Sequence, residues 1–104
     1  MRYRNYADHL RLVAGRLTSL LPQIRKVELL FVISIPPSYS KKRRAEAKGR
    51  PCEAKPDLDN LCKSVLDALW PAGDSAITEI AMRKIWDDGA GARTEVVFRL
   101  EEAT

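Results

Sequence analysis

The chain is expected to fold as an α+β domain, a small mixed or antiparallel sheet of about three strands packed with two main helices. Three observations predict this. Two stretches, residues 4–21 and 58–69, place apolar side chains at helical spacing. Between them lies a β-branched and aromatic run, Val27 to Ser34. After them come two shorter runs, Ile77–Trp86 and Thr94–Glu101, separated by a glycine-rich turn. The order is α-β-loop-α-β-β, without internal repeats, and it matches helices laid on a sheet.

In the first helix Tyr3, Tyr6, Leu10, Val13, Ala14, Leu17 and Leu21 form the apolar stripe, and Pro22 ends it. Val27–Ser34 is expected to be the central, well-buried strand, and Pro36-Pro37 breaks it. Residues 38–54 hold Lys41, Lys42, Arg43, Arg44, Lys48 and Arg50, with Lys55 just beyond. Gly49 and Pro51 mark this stretch as a basic loop, with room for a short helix over Ser40–Lys48. The second helix is expected from Leu58 to Leu69 with Asp57 as its N-cap. Leu58, Leu61, Cys62, Val65, Leu66 and Leu69 share one arc, and Asp59, Asn60, Lys63, Ser64 and Asp67 the other. Pro71 and Gly73 stop it. Asp87-Asp88-Gly89-Ala90-Gly91 then reads as a hairpin turn joining the last two strands.

Length and charge narrow the function. The 104 residues (11.7 kDa) make one domain, 1–104, with no room for two cores. Hydrophobic residues are 45% and charged ones 31%, the balance of a folded globular chain. No apolar run approaches the ~20 residues that span a bilayer, and the N-terminus lacks a signal-peptide core. Cys52, Cys62 and the single His9 match no zinc spacing and read as reduced thiols of a cytoplasmic protein. Residues 1–55 hold 13 Lys/Arg against 4 Asp/Glu, whereas residues 56–104 hold 5 against 10. A basic half joined to an acidic half suits a polyanion-binding surface beside an acidic site.

The chemistry concentrates in Lys55-Pro56-Asp57-Leu58-Asp59-Asn60-Leu61-Cys62-Lys63. Two carboxylates stand two residues apart at the mouth of a helix, a lysine follows one turn later, and the basic run lies directly upstream. Mg²⁺ takes one or two protein carboxylates plus waters and substrate phosphates, so the pattern suits metal-assisted phosphodiester chemistry. Two other readings stay open on the pattern alone. Asp57 can serve as a cap worth ~1 kcal/mol, and Asp59 can simply favour the positive end of the helix by ~0.3–1 kcal/mol. Asp74, before the next strand, is the best candidate for a third oxygen ligand. Lys63 can hold a scissile phosphate or pair with Asp67, and Lys84 can point into the site or into solvent. Asp87 and Asp88 are read as turn residues. Tyr3, Tyr6 and Trp86 are read as packing, and Trp70, beside Pro71, as a candidate exposed aromatic.

Taken together, the segment 55–63, then Leu66-Asp67-Ala68-Leu69, Asp74-Ser75-Ala76-Ile77 and Lys84, resembles the signature of the RusA family of bacterial and phage Holliday junction resolvases. The likeness is strongest over residues 55–84. It implies a homodimeric, Mg²⁺-dependent endodeoxyribonuclease, with Mn²⁺ as an alternative ion, that nicks four-way DNA junctions in recombination and repair. By that resemblance Asp57, Asp59 and Asp74 are the metal-binding catalytic carboxylates and Lys63 the catalytic lysine. DNA contacts are expected from Lys41, Lys42, Arg43, Arg44, Lys48, Arg50, Lys55 and Lys84. The chain departs from the family where Gly73-Asp74 replaces two adjacent acids and Ala76 replaces a frequent glutamine. It also starts almost at the first helix, so the family's opening strand is expected to be missing. A non-catalytic branched-DNA-binding module and a protein-interaction domain docking its basic loop on an acidic partner are the alternatives.

Overall fold

The apolar run at the centre of the chain becomes the middle strand of the sheet. A computed structural model describes residues 21–100. The helix expected over residues 4–21 lies almost wholly outside them. Leu21–Gln23, a turn of 3₁₀ helix, leads into β1 (Ile24–Ile33). Next come a short helix α1 (Lys41–Ala47), the main helix α2 (Leu58–Leu69), β2 (Glu79–Trp86) and β3 (Arg93–Leu100). The sheet order is β2-β1-β3. It is mixed, because β1 pairs with β2 in parallel and with β3 antiparallel.

α1 forms where the basic loop left room for it, with Ser40 as N-cap and its hydroxyl accepting the Arg43 N–H at 3.1 Å. α2 has the bounds expected from its periodicity. Its apolar arc, with Leu61, Cys62, Val65, Ala68 and Leu69 buried, joins Leu21, Ile24, Val27, Leu29 and Phe31 in one core. From Val27 to Phe31 β1 is buried on alternate residues, so there it is central but not sealed on both faces. Lys26 and Glu28 lie on the opposite face, paired with Glu79 at 2.7 Å and Arg99 at 3.1 Å.

The expected hairpin does not form. β2 and β3 flank β1 on opposite sides and have no ladder with each other. The excursion through α2 brings β2 back parallel to β1, as parallel pairs require a long crossover. One edge of β1 remains for β3, and residues 87–92 must cross the end of β1 to reach it. A gap of two strand spacings, roughly 10 Å, is within the reach of six residues. The Asp87 N–H donates to the Ile33 carbonyl at 2.8 Å as the chain passes over. The aspartates then shape the crossing as turn residues. Asp87 Oδ1 accepts the N–H groups of Gly89 and Gly91, and Asp88 accepts that of Ala90 and a two-pronged pairing from Arg93. Gly89, at φ +103°, takes a backbone conformation that favours glycine.

The Arg93 guanidinium, helped by the Ala90 N–H, lowers the Asp88 carboxyl to about 2. A carboxylate depressed in this way favours the folded state above its ordinary pKa and loses that contribution as pH falls through the lowered value. Carboxyl-detected NMR titration should place the Asp88 midpoint near 2. In Arg93→Gln it should rise toward the ordinary aspartate range, stopping short of it because the Ala90 N–H still donates to the carboxylate. An unchanged midpoint in that variant would show that the clasp does not govern Asp88.

Trp70 is not an exposed aromatic. Its indole N–H donates to the Leu21 carbonyl at 3.1 Å and its ring meets Phe98 edge-on at 6.1 Å, which seals the end of α2 over the sheet.

Candidate metal centre and nucleic-acid interface

Asp57 occupies the N-cap position of α2 with extended backbone angles (φ −68°, ψ 149°), and its carbonyl accepts the Leu61 N–H at 3.1 Å. Its side chain makes no capping hydrogen bond. Backbone geometry for a cap is present, and the carboxylate is left over. Asp59 stands exposed in the first turn, where the partial positive charge of the helix end favours an anion. Lys63 follows one turn later, also exposed. No ion pair joins Lys63 to Asp59 or Asp67 among the described residues. The Lys63–Asp67 pairing allowed by their spacing is therefore not formed.

Asp74 lies in the turns between α2 and β2, its carbonyl accepting the Ile77 N–H at 2.9 Å. Its carboxylate is near enough to α2 to act on Cys62. Burial pushes the Cys62 thiol above its ordinary pKa, and the charge of Asp74 pushes it further. So Asp57 and Asp59 share the helix mouth, and the charge of Asp74 is felt on the same helix at Cys62. Among the described residues no three of His, Cys, Asp or Glu converge closely enough to enclose a metal ion. The donor chemistry nevertheless suits a hard cation that keeps waters and substrate oxygens in its shell. The three carboxylates are exposed oxygens with no cation or hydrogen-bond donor on them among the described residues.

The basic residues divide into pinned and free groups. The Arg43 guanidinium stacks 3.7 Å over the Tyr39 ring, and Arg44 donates to the Pro36 carbonyl at 3.0 Å. Tyr39 itself packs against buried Trp86, so α1 is tied to the end of the sheet through these contacts. The side chains of Lys41, Lys42, Lys48, Arg50 and Lys55 are exposed and have no hydrogen bond or ion pair among the described residues. Their backbone is ordered by β2. Trp86 N–H donates to the Arg50 carbonyl at 2.9 Å, Gly49 N–H to the Asp87 carbonyl at 3.3 Å, and Pro51 bridges Ile85. The basic stretch is thus laid along the outer edge of β2.

Lys84 points toward the mouth of α2 rather than into open solvent. Its ammonium donates to the carbonyls of Ala54 and Pro56, the latter at 2.8 Å. Sequence reasoning placed Lys84 near the site but missed these partners, because backbone carbonyls about thirty residues away leave no mark on a side-chain pattern. A groove beside this segment is lined by Lys55, Pro56 and Leu61, by Ser34 past the end of β1, and by Arg93 and Thr94 of β3.

No helix among the described residues is long and apolar enough to cross a membrane. Residues 1–99 match the family model described as endodeoxyribonuclease RusA. No curated protein and no solved structure matches the chain.

Proposed function

Because the chain belongs to the RusA family of endodeoxyribonucleases, we propose that it is a Mg²⁺-dependent nuclease that resolves four-way DNA junctions in recombination and repair, with its chemistry at the mouth of α2. The observation that carries this reading is the spare carboxylate of Asp57. A purely structural N-cap would spend its side chain on the free N–H groups of the first turn, and this one does not. Asp57, Asp59 and Asp74, which do not enclose an ion by themselves, would hold it together with waters and substrate oxygens, with Mn²⁺ able to replace Mg²⁺. A bound divalent cation supplies a nucleophile at neutral pH and neutralises charge on the leaving oxygen.

The protein's own groups do the rest. Lys63, with no carboxylate partner among the described residues, is available to the scissile phosphate and to the charge that develops on it. Lys41, Lys42, Lys48, Arg50 and Lys55 meet the phosphates of the junction arms, giving affinity without sequence reading. Arg43 and Arg44 brace α1 and add positive field. Paired nicks across a junction call for two active sites related by a two-fold axis, hence a homodimer. A bacterial or phage origin and a cytoplasmic, nucleoid-associated location fit that chemistry.

The test is a labelled four-way junction and a matched linear duplex, each incubated with Mg²⁺ or EDTA. Paired nicks on the junction alone, abolished by EDTA, are the expected result. Tight junction binding with no nicking under any metal would overturn the catalytic reading in favour of a branched-DNA-binding module.

A further inference from the structure

From the hydrogen bonds of Lys84 we propose that this residue is a positioning residue for the metal ligand Asp57, and not a DNA contact. The inference rests on the proposed metal site, and it concerns how that site is held. β2 carries Lys84 in register with Phe31 of the core strand β1, so its backbone is fixed. Its carbonyl accepts the Cys52 N–H at 3.0 Å, and its ammonium reaches the carbonyls of Ala54 and Pro56. One residue therefore holds the chain at three successive points as it leaves the edge of β2 for α2.

The last of those points matters most. The Pro56 carbonyl belongs to the peptide unit that joins Pro56 to Asp57. A donor on that oxygen fixes the peptide plane and, with it, the direction in which Asp57 leaves the backbone. The Asp57 side chain has no hydrogen bond among the described residues to hold it. Its placement thus depends on the backbone, and the backbone there depends on Lys84. An ammonium also suits this place chemically, since it offers several donors and two of them are used on carbonyls. A Lys84 engaged in this way has little left to give a phosphate.

Partners that orient metal ligands typically contribute 10- to 100-fold in metal affinity. Lys84→Met should therefore raise the Mg²⁺ concentration for half-maximal junction nicking by about 10- to 100-fold. Calorimetry with Mn²⁺ alone should show a loss of similar size. The nicking rate at saturating Mg²⁺ should stay within about threefold, because the reacting groups are unchanged. Junction affinity in EDTA, and its dependence on salt, should not move. Lys84→Arg, which keeps donors at the same reach, should recover most of the metal affinity.

An unchanged Mg²⁺ requirement in Lys84→Met would overturn the proposal. So would weaker junction binding in EDTA with a salt slope reduced by about one, the mark of a lost phosphate contact. Should Lys84→Met lose its folded circular dichroism signal, Lys84→Leu, which likewise offers no side-chain donor to the two carbonyls, takes its place under the same criteria. If the wild-type protein binds junctions without metal-dependent nicking, the nuclease reading fails by itself, and the Mn²⁺ calorimetry decides the role of Lys84.

Discussion

Asp59→Asn is expected to abolish junction cleavage while leaving the protein folded and junction binding intact or tighter. Asp59 is exposed in the first turn of α2 and makes no hydrogen bond or ion pair with another side chain of the described residues. Replacing its carboxylate costs the fold only its interaction with the helix end, ~0.3–1 kcal/mol. Catalytically the change removes an anionic ligand, and asparagine is a poor substitute for a hard cation. A fall of about 10³-fold in nicking rate, about 4 kcal/mol of barrier, is the expected scale. Binding should move the other way, since a negative charge near the scissile phosphate is gone.

The comparison variant is Asp67→Asn. Asp67 is also exposed on α2, two turns further on, and the functional reading assigns it no role. Normal cleavage by Asp67→Asn with none by Asp59→Asn would tie activity to the helix mouth rather than to the total charge of that face. If Asp59→Asn retained more than a tenth of the wild-type rate, Asp59 would be no metal ligand. Weaker junction binding by that variant would also count against the reading, because no phosphate contact is expected from an aspartate.

What was legible in the sequence follows the range of the forces involved. α2 was readable to its ends because its determinants are local: an apolar stripe at 3.6 spacing, an aspartate before the first turn and a proline two residues past the last. Strand partnership was not. The Asp88-Gly89 pair signals a turn, and a turn is present, but nothing local says whether the chain then returns beside the strand it left or crosses over another. Here the open edge of β1 decided it. The role of Asp57 was undecided for a related reason. Cap and metal ligand need the same residue at the same place, and only the absence of the side-chain hydrogen bond separates them. Lys84 lies at the far end of this scale, since its partners are main-chain atoms of a distant loop.

The strongest effect on stability should come from Phe31→Ala. Phe31 is 1% exposed in the middle of β1, within the core that seats α2. Large-to-small changes of this kind cost ~3–5 kcal/mol, from lost apolar burial plus the cavity left behind. A domain of this size has a total stability of ~5–15 kcal/mol, so the variant should be marginal at 37 °C. Thermal melting should drop by roughly 15–30 °C. The contrast is Val97→Ala on β3, 43% exposed, where little burial is lost and the midpoint should shift by only a few degrees. Phe31→Ala also separates two ways of losing activity. Its cleavage should fall with the folded fraction and return on cooling, whereas Asp59→Asn should stay inactive at every temperature at which it is folded. A Phe31→Ala protein that melted within a few degrees of wild type would mean that α2 is not seated on β1 through this ring. Asp57 and Asp59 would then lose the rigid floor that their proposed chemistry requires.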